Sequence, residues 1–153
     1  MYLNLEKFTK TPLNTDPFEF MTIEGFVKKD GLDAARSHYP EVPGPGSHPS
    51  GVLKIEGAFK ELIDELHGDE FRKAVEKKFD IDLKDRPTMY TVRGFCRQRD
   101  GQIHTDSKTK IITVLVYMNE DNWPTDGGRL RILRSGTDLE DYVAEVEPKG
   151  GTL

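Results

Sequence analysis

At 153 residues, with 35% hydrophobic and 32% charged side chains, the chain has the length of one domain. A chain of that size can bury about 70% of its extended surface without disulfide or metal staples. The formal net charge of −5 argues against a duplex nucleic-acid partner, which would call for a basic face.

The single cysteine, Cys96, excludes an internal disulfide and a thiolate metal cluster, and fits a strand residue in a reducing compartment. The longest apolar run, residues 111–118, is far shorter than the ~20 residues a membrane span needs. The N-terminal residues 1–7 lack the apolar stretch of a secretory signal. These features predict a cytoplasmic protein with no membrane partner.

In chain order, residues 18–23 are rich in aromatic and β-branched side chains and predict a short strand ending at Gly25. Residues 28–38 predict a helix with Leu32, Ala35 and Tyr39 near one face, stopped by Tyr39-Pro40. Residues 40–51 hold four prolines and three glycines and predict a long loop, in the manner of a lid or rim. Phe59, Leu62, Ile63 and Leu66 recur at helical spacing over residues 58–66. A second helix follows over residues 70–79, with Phe71, Val75 and Phe79 on one stripe; Arg72, Lys73, Lys77 and Lys78 form its solvated back.

From Pro87 the texture changes. Strand-like runs at 89–97, 110–118, 128–133 and 142–146 are separated by turn signals at Asp100-Gly101, 121–127 and Ser135-Gly136. Several short strands with regular turns read as a sandwich or barrel. Arg93, Arg97 and Arg99 share parity along the first of these runs and predict a basic stripe, either acid-paired or orienting a substrate.

Chemistry concentrates at His104-Thr105-Asp106. Residues two apart on an extended chain project to the same side, so one imidazole and one carboxylate can grip one ion. They are two of the three donors in the 2-His-1-carboxylate set that holds non-haem iron. No histidine follows His104. His38, His48 and His67 precede it; His48 lies in the Pro/Gly loop, and His67 reads as a helix-end or surface residue.

The segment His104-Thr105-Asp106, followed by Lys110, Thr113, Leu115, Tyr117 and Asn119, resembles the metal-binding core of the Fe(II)- and 2-oxoglutarate-dependent oxygenases, closest to the prolyl 4-hydroxylase-like branch. Trp123, the Gly127-Gly128-Arg129-Leu130-Arg131-Ile132-Leu133 run and the Val146-Glu147-Pro148-Lys149-Gly150 turn are similar to later motifs of that branch, and residues 17–26 to its entry strand. The resemblance implies a mainly β fold with N-terminal helices, a double-stranded β-helix (jelly roll) incomplete at its C-terminus. Residues 1–86 would be helical support and residues 87–153 the first part of the jelly roll, in one domain.

It implies His104 and Asp106 as metal ligands, and Thr113, Leu115 and Tyr117 as lining of the 2-oxoglutarate pocket, with the Tyr117 phenol on the co-substrate's distal carboxylate. Lys110 matches a basic position of the family but is better explained as a structural or solvated side chain. Fe(II), 2-oxoglutarate as co-substrate and O₂ are the implied small-molecule partners, with ascorbate a further candidate. The implied reaction couples oxidative decarboxylation of 2-oxoglutarate to hydroxylation of a protein side chain, prolyl-like, or of a small molecule.

The family's distal His and its 2-oxoglutarate-binding Arg or Lys have no counterpart, because the chain stops at Gly151-Thr152-Leu153. That predicts a truncated, catalytically incomplete member with an open strand edge. The alternatives are a non-catalytic jelly-roll binding module and a cupin-like metal protein. Oligomeric state and substrate are left open by the sequence.

Overall fold

The spacing of apolar side chains organises the N-terminal half, and the helices fall close to their expected limits. The computed structural model describes residues 1–94, 101–120 and 127–153. A first helix that the sequence did not announce, α1 (Leu5–Lys10), is capped by the Asn4 side chain, which accepts from the Lys7 amide at 3.0 Å. Then come α2 (Lys29–Ser37), α3 (Gly57–Leu66) and α4 (Asp69–Phe79). Each turns two apolar positions inward: Leu32 and Ala35, Phe59 and Leu62, Phe71 and Val75.

The core joins Leu32, Ala35, Leu62, Phe71 and Val75 to Leu3, Phe8, Ile23, Phe26 and Val27, while Phe59 packs on Tyr39. At its centre the rings of Phe8, Phe26 and Phe71 stand 5.6–6.0 Å apart in tilted and edge-on pairs. Lys78 leaves the back face of α4 to donate to the Thr9 and Thr11 carbonyls at 2.8 and 2.6 Å. It ties α4 to the end of α1, where a fully solvated lysine was expected. Arg72 is paired with Asp69 and Glu76 on its own helix.

The described strands make two small antiparallel sheets. In the first, β1 (Ser47–Pro49) pairs with β2 (Thr91–Arg93), His48 opposite Val92. In the second, β3 (Leu130–Leu133) pairs with β4 (Tyr142–Val146), Arg131 opposite Glu145, with a register shift between Ile132 and Leu133. The predicted 40–51 loop therefore contains a strand and a 3-10 turn (Ser50–Val52). The strand expected at 18–23 is absent, its place taken by a single bridge between Asn14 and Phe20.

The end of the chain is stitched into the molecule. Ile23 and Leu153 exchange backbone hydrogen bonds at 2.9 and 3.0 Å, and the Val27 amide donates to Gly151. On the other side of residues 151–153, Tyr117 donates to Thr152 and accepts from Gly151 at 2.9 and 2.8 Å. Arg36 of α2 braces the same region by donating to the Met118 and Asn119 carbonyls.

The jelly roll implied by the resemblance is not formed. Among the described residues the fold is a small α/β arrangement of four helices and two two-stranded sheets, not mainly β and without a closed barrel. The physical reason lies in burial. The central cluster is built from the helices and the segments around Leu3 and residues 23–27. Leu115, which a jelly roll would turn inward with Thr113 and Tyr117, is 50% exposed, whereas Ile112, Val116 and Met118 of the same run pack against the helical core. The 110–118 run forms no named strand, and the 89–97 run is strand only over Thr91–Arg93. Cys96, Arg97, Arg99, Trp123 and the turns at Asp100 and 121–126 lie outside the described residues. Among the described residues no helix is long and apolar enough to cross a membrane.

Candidate functional site

His104 and Asp106 stand on an irregular, exposed stretch between Gly101 and a turn closed by the Lys110 amide donating to Ser107 at 3.0 Å. His104 Nδ1 lies 2.9 Å from the Gln102 carbonyl. A carbonyl only accepts, so Nδ1 is the donor, and it is the neutral ring with this tautomer that offers a lone pair at Nε2. That is the arrangement in which a metal-binding imidazole is oriented by an outer hydrogen bond.

The turn also brings Thr113 back to Asp106, and its hydroxyl donates to Oδ2 at 2.6 Å. Lys110 Nζ stands 3.9 Å from the other oxygen, an exposed pair worth little energetically. Both donors are thus of the kind a divalent metal takes, and each has a partner that restricts its rotation.

The set is not complete. Among the described residues no three of His, Cys, Asp and Glu gather where a metal could be held. His48 Nε2 is engaged with the Gly44 and Pro45 carbonyls at 3.0 and 3.2 Å. His67 caps α3 through Nδ1 to the Ile63 carbonyl at 2.8 Å, and His38 lies beside Ser37 and the Ala34 carbonyl. The described residues do not assemble the three-donor iron set, so no reaction step through iron is derived.

The three expected pocket residues are distributed differently from one another. Thr113 is exposed and spends its hydroxyl on Asp106. Leu115 is half exposed. Tyr117 is partly buried, and its backbone is clipped to Gly151 and Thr152. Arg93 is exposed at the end of β2, and its carbonyl accepts from the Tyr39 hydroxyl at 2.8 Å.

A cleft of about 210 Å³ that sequence reasoning missed lies elsewhere, lined by Thr22, Glu24, Arg129, Glu145, Val146, Glu147 and Thr152. Its charges are matched. Arg129 stands 3.6 Å from Glu145 and 3.7 Å from Glu147, Arg131 donates to Glu145 at 2.7 Å, and Lys149 stands 3.6 Å from Glu24. The register of β3 against β4 and the backbone bonds between Ile23 and Leu153 unite these groups, so no local motif could have revealed them. The Arg129 Nε and Thr152 hydroxyl are buried there without a hydrogen-bond partner among the described residues.

Compared with known proteins, the chain matches no protein-family model, no curated protein and no solved structure.

Proposed function

We propose that His104 and Asp106 bind a divalent transition metal, as the two-donor part of an Fe(II)- and 2-oxoglutarate-dependent hydroxylase of the prolyl-hydroxylase-like kind. The observation that carries this reading is the outer hydrogen bonding of both donors. Gln102 fixes the imidazole so that Nε2 presents a lone pair, and Thr113 holds the Asp106 carboxylate. The order of His104, Asp106, Thr113, Leu115, Tyr117 and Asn119 along the chain supports the oxygenase class. In this reading Thr113 is a positioning residue for Asp106, and 2-oxoglutarate, the co-substrate, would lie toward Tyr117.

The test is calorimetric titration of the chain with Mn(II) and Co(II), as air-stable substitutes for Fe(II), on the parent and on His104→Ala and Asp106→Ala. One metal site lost in both variants is the expected result. Identical isotherms for all three proteins would remove the metal assignment. Succinate release with Fe(II) and 2-oxoglutarate separates the enzyme from a bare metal-binding module: a signal that Asp106→Ala leaves intact counts against the oxygenase reading.

A further inference from the structure

The two candidate metal donors stand where another molecule can reach them. Residues 101–111 are exposed throughout, and His104 and Asp106 sit midway along them. The Gln102 carbonyl holds His104 Nδ1, and the neutral ring keeps Nε2 for a ligand. On Asp106 the Thr113 hydroxyl takes Oδ2, and Lys110 Nζ stands 3.9 Å from Oδ1, too far for a hydrogen bond. Lys110 is thus a loosely held internal cation, which a divalent ion can displace.

Such an ion needs more donors than one copy assembles. Zn(II) closes a structural site with four N, O or S donors in a tetrahedron. Among the described residues no third His, Cys, Asp or Glu completes a metal-holding group. The other three histidines turn a ring nitrogen to their own backbone: His38 to the Ala34 carbonyl, His48 to Gly44 and His67 to Ile63. Apolar surface flanks the donors as well. Ile103 adjoins His104, Val114 adjoins the Thr113 that touches Asp106, and Ile103, Ile111, Val114 and Leu115 are 37–51% exposed. A protein partner covers such surface, whereas a small ligand leaves it wet.

We propose that one Zn(II) ion bridges two copies of the chain, each giving His104 Nε2 and one Asp106 oxygen. The inference rests on the metal-binding part of the function proposed above. The second copy is the occupant because it brings, in kind and number, what the first lacks. Two imidazoles and two carboxylates complete the tetrahedron, and the two carboxylates neutralise the ion. Identical half-sites about an ion on a two-fold axis make a closed, isologous contact. The bridged ion has no open position, so this assembly is distinct from the open site that hydroxylation requires. Lys108 and Lys110 place positive charge beside each half-site, which opposes the pairing until the ion is present.

Sedimentation velocity of the whole chain with stepwise Zn(II), and bound Zn(II) counted by equilibrium dialysis, tests this. The mass is expected to rise from 17.4 kDa toward twice that value as Zn(II) approaches one ion per two chains, and to return with EDTA. Excess Zn(II) loads each half-site separately and is expected to lower the mass again. His104→Ala and Asp106→Ala each abolish the rise; both residues are exposed, so neither change touches the core. Lys110→Met removes the competing ammonium and is expected to tighten the Zn(II)-linked pair about threefold. One Zn(II) per chain with no change in mass, lost in both alanine variants, overturns the bridge and leaves the metal-binding reading standing. A parent chain that binds no Zn(II) overturns both. A Zn(II)-dependent dimer that survives both alanine variants, or growth past two copies, also overturns the bridge.

Discussion

Thr152 is 2% exposed, and its hydroxyl has no hydrogen-bond partner among the described residues. A buried hydroxyl left unpaired costs about 1–3 kcal/mol, and replacing it with a methyl of nearly the same shape removes that cost. Thr152→Val is therefore expected to raise the stability of the chain by about 1 kcal/mol, read as a higher urea midpoint with an unchanged slope. A lower midpoint would mean that the hydroxyl is bonded in solution, through a water in the adjoining cleft. Two tyrosines contribute to the alkaline limb of stability. Tyr2 is raised above 10.0 chiefly because its hydroxyl donates to Glu61 at 2.5 Å, and Tyr39 because of burial. A folded-state value above the unfolded one means that the protonated phenol favours the fold. That contribution is complete below the ordinary tyrosine value and is lost as pH rises through the raised folded value. Urea midpoints should accordingly fall between about pH 9 and pH 11 in the parent and fall less in the Tyr2→Phe, Tyr39→Phe double variant. Parallel curves would show that neither phenol is linked to folding.

At the scale of elements, the helices carry the structure. Phe71 of α4 meets both Phe8 and Phe26, at 5.7 and 5.6 Å between ring centroids, and so joins α1, α4 and the segment after Gly25. Phe71→Ala leaves a cavity between three elements and is expected to cost about 3–5 kcal/mol, measured by chemical denaturation; a loss below 1 kcal/mol would mean that the site collapses freely. The same residue shows why α2, α3 and α4 were legible. Their inward side chains recur at helical spacing, a signal contained within each segment. β3 and β4 were legible because Ser135-Gly136 marks the turn between two β-rich runs. The helix α1 has six residues, too few to show a period, and only its Asn4 cap marks it. The strand β1 is hidden among prolines, and its pairing with β2 joins segments some forty residues apart in the sequence. Of the candidate site, His104 and Asp106 could be named from their spacing, and Thr113 only through the resemblance, as pocket lining. The hydrogen bond that turns Thr113 onto Asp106 depends on the Ser107–Lys110 turn, which their spacing alone did not specify.

For the whole molecule, the misread feature is the place of residues 110–118. Their β-rich composition predicted an extended conformation and, through the resemblance, a place between two sheets. A sheet needs partners as well as propensity, and here the partners are distant and few: Gly151 and Thr152 at Tyr117, and Arg36 at Met118 and Asn119. Composition reports none of these pairings, which is why the jelly roll did not survive while the helical core did. The molecule is thereby divided into a stitched region and an unstitched one, and amide hydrogen exchange can tell them apart. The amides of Ile23, Val27, Tyr117, Gly151 and Leu153 donate to backbone carbonyls in a ladder that packs beside the aromatic core. They should exchange slowly, opening only with most of the domain. The amides of residues 111–116 have no such acceptor and should exchange rapidly in dilute solution. If they prove as protected as Tyr117 at concentrations where the chain is monomeric, the segment is covered by the molecule itself. The division of the molecule into a stitched and an unstitched region would then have to be abandoned.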